Sequence, residues 1–245
     1  MLAKRLFSFR QRIEIGQRLH PSLFEAIARV LAFDLDDTLY KEKDYVASAH
    51  IAIRAYLKDN YSINDGDSKK IMDEADKRGE HPFKAFEPQV SFDEILNVYR
   101  YHRPTITLDA HTQRMLEEVV ARRFRLALIT DGRSLSQRNK IEALGLNRYF
   151  SEEAIFISEE TGHEKCDVDN FLAVQRLYPN ERYCYIGDNP QKDFYHPNLL
   201  GWTTIMLRNN GDNIHPQPVI DDIHNAKFSV DDLSLKSLVG IIDAQ

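Results

Sequence analysis

The second half of this chain alternates short apolar runs with stretches of helical spacing, and that alternation restricts the fold more than any other feature. Arg125-Leu126-Ala127-Leu128-Ile129-Thr130, Ala154-Ile155-Phe156-Ile157, Tyr183-Cys184-Tyr185-Ile186 and residues 202–207 have the length and composition of buried strands. Between them, residues 136–144 and 167–177 read as helices, the first stopped by Gly145. Val30-Leu31-Ala32-Phe33 is an earlier run of the same kind. Strands that alternate with helices pair in parallel, because each crossover needs about the length of a helix, and a parallel sheet is covered on both faces. An α/β fold is therefore expected, with a parallel sheet and helices on both sides.

That geometry says where chemistry can sit. In open sheets of this type, ligands bind beyond the carboxyl ends of the strands, where the strand order reverses. Asp34, Thr130 and Asp188 each end an apolar run, so all three should converge on one crevice. The first run stops abruptly in Asp34-Leu35-Asp36-Asp37-Thr38. Three carboxylates so close repel one another, and a hard divalent cation with oxygen ligands is the obvious compensation. A plain acidic loop at a strand end is the alternative.

The interval from Leu39 to Arg125 is far longer than a simple crossover, and its content is helical. Helices are expected over 44–57, over 69–78 behind a Ser68 cap, over 92–101 behind Ser91, and over 112–123. Residues 81–89, with Pro82 and Pro88, read as a loop. Residues 202–207 form the last clear strand, and a closing helix is expected over 230–242 after the turn at 216–218.

Hydrophobic residues at 42% and charged residues at 29% are the balance of a soluble globular protein with a real core. A net charge of −6 and an isoelectric point near 5.9 argue against general nucleic-acid binding. No apolar run approaches the roughly 20 residues needed for a membrane span. Cys166 and Cys184 form no disulfide pattern, so a reducing, cytoplasmic setting is the default, with Cys184 a small core residue. The opening segment, 1–29, is basic. An Arg-rich, acid-poor start resembles a transit peptide or a membrane-surface helix, while a helix opened by Pro21 and packed through Leu23, Phe24 and Ile27 is the plainer reading.

Asp34-Leu35-Asp36-Asp37-Thr38, Thr130-Asp131-Gly132, Lys165 and Gly187-Asp188-Asn189-Pro190-Gln191-Lys192-Asp193 together resemble the four motifs of the haloacid dehalogenase (HAD) superfamily, in order, across 30–207. The placement of the long helical interval resembles subfamily I, with its cap between motifs one and two. The resemblance implies a Rossmann-like core over 30–40 and 113–245, with an inserted helical cap over 41–112. It implies a magnesium-dependent phosphatase acting on a small organic phosphate monoester, of the sugar phosphate or nucleotide class, through an aspartyl-phosphate. A phosphomutase on the same scaffold, or a non-catalytic binding module, are the alternatives; a dehalogenase is disfavoured by the presence of Asp36.

The roles implied are carried over residue by residue. Asp34 matches the nucleophile and Asp36 the general acid and base. Thr130 and the N–H of Asp131 would hold phosphate, with the Asp131 carboxylate turned away or neutralised by Arg133. Lys165 would balance charge, with Lys140 and Lys192 as substitutes, and Cys166 stands where the family usually has proline. Mg2+ would be held by Asp34, Asp188 and the carbonyl of Asp36, with Asp193 fixing waters or Lys165 around it. His81, Phe83, Lys84, Arg100, Tyr101, His102 and Arg103 are the cap residues offered as substrate contacts.

Overall fold

The computed structural model describes residues 29–242. The expected opening helix around Pro21 lies outside the described residues. Six strands form one sheet: β1 (Arg29–Phe33), β2 (Arg125–Thr130), β3 (Ile155–Ile157), β4 (Arg182–Gly187), β5 (Thr203–Leu207) and β6 (Phe228–Val230). Their order is β3-β2-β1-β4-β5-β6, and every pair is parallel. β1 is central, with Leu31 opposite both Leu126 and Cys184.

The strands read as unbroken apolar runs because both faces are covered. Alternate side chains point to opposite faces. Leu31, Phe33, Leu128 and Ile186 pack on one side against Met115, Leu116 and Val119 of α4 (Ala110–Ala121), Ile141 of α5 (Ser134–Ala143) and Leu238 of α9 (Leu235–Ile242). Val30, Ala32, Ala127, Ile129 and Tyr185 pack on the other, against Phe171 and Val174 of α7 (Asp169–Leu177) and against Trp202. Ala32 and Ala127 leave room there for large rings. Phe171 meets Tyr185 and Trp202 edge-on at 5.3 and 5.8 Å, and burying a Phe of this kind stabilises by about 1.5–3 kcal/mol. Cys184 is buried in β4, in the core role expected of it.

Between β1 and β2, helices α1 (Glu42–Tyr61), α2 (Asp65–Lys77) and α3 (Phe92–Tyr101) share an apolar cluster of their own, centred on Ile53, Leu57, Met72, Phe83 and Ile95. Two details differ from the sequence expectation. Asn64, not Ser68, caps α2, its side chain accepting from the Asp67 N–H at 2.9 Å, while Ser68 is buried inside the first turn. Asn and Ser are nearly equal as caps, so spacing alone does not separate them. A 3-10 helix, Pro82–Phe86, stands where a loop was expected, and it buries Phe83 and Phe86. Proline fits a first helical turn as readily as a loop.

After β3 come the one-turn α6 (Ser158–Thr161) and then α7; α8 (Tyr195–Leu199) lies between β4 and β5. The last strand was missed from sequence. β6 is a three-residue edge strand paired with β5 from Ile205–Phe228 to Leu207–Val230, so the final helix begins only at Leu235. Three residues are too few for a period to show. No helix among the described residues is long and apolar enough to cross a membrane.

Candidate active site

β1 delivers Asp34 to the crevice. Its N–H still pairs with the Ile186 carbonyl at 2.9 Å, extending the ladder by one residue. The chain then turns through Asp37, which has φ +54°, a left-handed conformation that Asp tolerates better than most residues. Asp37 is structural. Its carboxylate accepts from the N–H groups of Glu42 at 3.0 Å and Ile214 at 2.9 Å. It thereby caps α1, whose own N-cap residue, Lys41, makes no side-chain cap bond, and ties that helix to the loop after β5.

Lys165 is buried, and its ammonium donates to Asp34 and, at 2.7 Å, to Asp193. Burial alone would lower its pKa; Asp193 and Asp34 hold it well above the ordinary value. Asp193 is fully enclosed and fully used. One oxygen takes Lys165 and the Tyr185 hydroxyl, and the other takes the N–H groups of Asp188 and Asn189 at 3.0 and 2.8 Å. Gly187 makes this possible, since a Cβ there would lie 2.5 Å from the Asp193 carboxylate.

Asp34, Asp188 and Asp193 bring carboxylate oxygens within 4.8 Å of one another. Burial pushes the Asp34 carboxyl well above the usual range against the pull of Lys165, and Asp193 and Asp188 add to the rise. Burial, with Asp193 nearby, pushes Asp188 up to about 7. Three buried carboxylates face one lysine, so the site is short of positive charge. An oxygen-ligated divalent cation fits that donor set. Because Asp193 is saturated, Asp34 and Asp188 are the carboxylates left to bind one.

Asp36 lies apart from this cluster. Lys140 donates to it at 2.7 Å, Gln137 at 3.0 Å, and the Tyr40 hydroxyl also donates. Burial would raise its pKa, but Lys140, Tyr40 and Gln137 together hold it below the usual value. Its carboxylate is therefore engaged by Lys140, not by Lys165. Lys140, a substitute for Lys165 by sequence, pairs with a different acid.

Thr130 ends β2, buried, and accepts from Gln137 at 3.0 Å. Gly132 has φ +146°, and a Cβ there would fall 2.8 Å from the Gln137 amide, so glycine suits both the turn and the approach. Asp131 turns toward Lys165, whose backbone N–H donates to it at 2.9 Å. Its nearest cation is Lys192 at 3.8 Å; Arg133, the expected neutraliser, instead faces Glu159. Lys192 lies in a tight turn, its N–H donating to the Asn189 carbonyl at 3.1 Å, and both residues line the crevice.

The crevice encloses about 130 Å3. Besides the motif residues, Asn189 and Lys192 among them, Glu42 and His215 line it. None of the seven cap candidates does. Phe83 is in the apolar cluster of the helical insertion, and His102 is buried, bonded to the Tyr99 carbonyl and Ser48. Burial, with Asp36 nearby, pushes Glu42 up to about 7. Asn213 and Gln217, from the loop after β5, donate to the Asp188 side chain and carbonyl at 2.9 and 2.7 Å. Sequence reasoning missed these supports and Gln137. The one available signal was Gln137 and Lys140 preceding Ile141 on a single helix face, two polar groups in an inward stripe.

The sequence pattern of haloacid dehalogenase-like hydrolases matches residues 31–205. The chain belongs to that family, and it is a hydrolase. It is 28% identical over 192 residues to a glyceraldehyde 3-phosphate phosphatase of Methanocaldococcus jannaschii, covering 72% of this chain and 83% of that protein. It is 31% identical to a phosphoserine phosphatase of Thermus thermophilus over 53% of this chain and 54% of that one. Among solved structures, the HAD-hydrolase YfnB of Bacillus subtilis, bound to magnesium, superposes with a TM-score of 0.61 at 21% identity, over 89% of this chain and 99% of that one. This last likeness concerns the fold.

Proposed function

We propose that this hydrolase is a magnesium-dependent phosphatase that cleaves a small organic phosphate monoester through an aspartyl-phosphate on Asp34. The observation that carries this reading is the convergence of Asp34, Thr130, Lys165 and Asp188 on one crevice at the carboxyl end of the sheet. Asp34 sits with Lys165 and the other carboxylates, while Asp36 is held by Lys140, Gln137 and Tyr40. Lys140 favours the carboxylate form of Asp36, which suits its role as the base toward water.

In this scheme an Asp34 oxygen attacks phosphorus and the ester P–O bond breaks. Asp36 gives a proton to the departing oxygen, then takes one from the water that hydrolyses the phosphoenzyme. The Thr130 hydroxyl and the backbone N–H groups of the turn after it hold phosphate oxygens, and Lys165 balances their charge. A bound Mg2+, held by Asp34 and Asp188 with the Asp36 carbonyl, would supply further charge neutralisation. Asp193 contributes by fixing Lys165.

The helical insertion, 41–112 by sequence, acts as the cap of a subfamily I enzyme. Within the substrate range, this reading favours the small, sugar-phosphate end over nucleotides. The two curated relatives above are phosphatases whose names specify three-carbon phosphates, in keeping with that end of the range. The test is hydrolysis of para-nitrophenyl phosphate with Mg2+ and with excess chelator, followed by a panel of metabolite phosphates. Magnesium-restored turnover, with small phosphates preferred, is expected. Full activity in chelator would overturn the metal, and no hydrolysis of any phosphate would overturn the reading.

A further inference from the structure

Lys140 is a buried cation with two contacts, one on each side of the boundary between the sheet and the helical insertion. Its ammonium lies 2.7 Å from Asp36 and 4.4 Å from the centroid of the Tyr45 ring in α1. A cation over an aromatic face is attracted to it, more strongly when both are out of water. Tyr45 is tied to the insertion, its hydroxyl donating to the Tyr99 carbonyl at 3.0 Å and its ring meeting that of Tyr99 edge-on, while it also packs in the core over the sheet. The helix that carries Lys140 is stitched to the same place. Ser136 donates to the Arg100 carbonyl at 2.6 Å, and Asn139 to the His102 carbonyl at 3.1 Å. These are carbonyls at the end of α3 that have no partner within their own helix. One face of α5 thus grips the insertion, while Gln137 and Lys140 on another grip Asp36 and Thr130.

We propose that Lys140 is the positioning residue of Asp36, and that the helical insertion sets Lys140 in place through the face of the Tyr45 ring. The insertion thereby shares in placing the acid that protonates the leaving group. This rests on the phosphatase reading given above. Lys140 touches no reacting atom in this scheme; it acts through Asp36.

The consequence is a dependence on the leaving group. A substrate whose leaving oxygen needs a proton depends on Asp36 placement, whereas one that leaves readily as an anion depends on it much less. The experiment compares kcat/KM for phenyl phosphate and para-nitrophenyl phosphate, since kcat/KM reports the step up to leaving-group departure. Lys140→Met should lose about ten times more on phenyl than on para-nitrophenyl phosphate, a fraction of what a general acid contributes. Lys140→Arg should recover part of the difference. Tyr45→Leu, made from the side of the insertion, should show the same unequal loss at smaller size, and Tyr45→Phe, which keeps the ring, should lose less than Tyr45→Leu. Melting temperatures accompany each variant, and Tyr45→Leu carries the test if Lys140→Met does not fold. Equal losses on both substrates, from a wild-type chain that hydrolyses both, would overturn the positioning role alone. Hydrolysis of neither by the wild-type chain would overturn the phosphatase reading and this one with it.

Discussion

Lys165→Met is the perturbation whose cost the structure specifies best. The two side chains are of similar length and volume, so the change removes a charge and leaves almost no cavity. What remains is Asp34 and Asp193, with Asp188 beside them, in a site where the Lys165 and Asp193 side chains are 5% and 0% exposed. Removing one partner of a buried ion pair costs about 3–5 kcal/mol, because the other charge stays behind without compensation. For a chain of this size, that corresponds to a fall in melting temperature of roughly 6–20 °C. The assay is urea and thermal unfolding at neutral pH in chelator, so that no divalent cation substitutes for the ammonium. Adding Asp193→Asn to Lys165→Met should return a substantial part of the loss, since it removes one stranded carboxylate; non-additivity of this sign is the mark of a direct pair. Turnover should be abolished in both. A single variant that loses less than about 1 kcal/mol, or a double variant whose losses simply add, would refute the charge argument.

Asp34→Asn should abolish phosphate release while its melting temperature holds or rises, because a buried like charge is removed; residual turnover above background would remove Asp34 from its role. Gly187→Ala should destabilise by about 1–3 kcal/mol and cost most of kcat, since the added methyl would displace Asp193 and with it Lys165; a wild-type kcat in this variant would contradict the dependence of Lys165 on Asp193. Asp37→Ala should cost about 1–3 kcal/mol by leaving the Glu42 and Ile214 N–H groups without their acceptor, with Asp37→Asn intermediate, since its single carbonyl oxygen replaces only one of the two carboxylate oxygens, as urea unfolding would register. Equal effects of alanine and asparagine there would mean that the hydrogen bonds contribute nothing.

What could be read in the sequence followed from position at strand ends. Asp34, Thr130 and Asp188 each terminate an apolar run, and parallel topology alone brings such termini together. Gln137, Asp37 and His215 have no comparable marker, and Lys140 is legible only as a substitute for Lys165. Gln137 and Lys140 lie in a helix that the sequence gives no reason to aim at Asp36, and only the packing of α5 over β1 turns them toward it. Asp37 looks like a third member of an acidic cluster, yet two backbone N–H groups, one of them far along the chain, make it a cap and a tie. His215 reaches the crevice from a loop with no periodicity at all. The cap candidates went astray for a related reason. Aromatic and basic residues in a helical insertion suggest contacts with substrate, but Phe83 was required to fill that insertion's own small core.

The central place of β1 also bears on the order in which the molecule assembles. Its first residue is Arg29, while its two partner strands begin at Arg125 and Arg182. The helices α1–α3 find their apolar partners among themselves, at short range in the chain. Contacts that close short loops form sooner than those that close long ones. The insertion is therefore the part able to gain structure earliest, and β1 waits with both edges unpaired, a state open to wrong pairing with another chain. Asp34 meets Asp188 only when β4 docks beside β1. The candidate site is then completed by a pairing that closes a long stretch of chain, from β1 to β4.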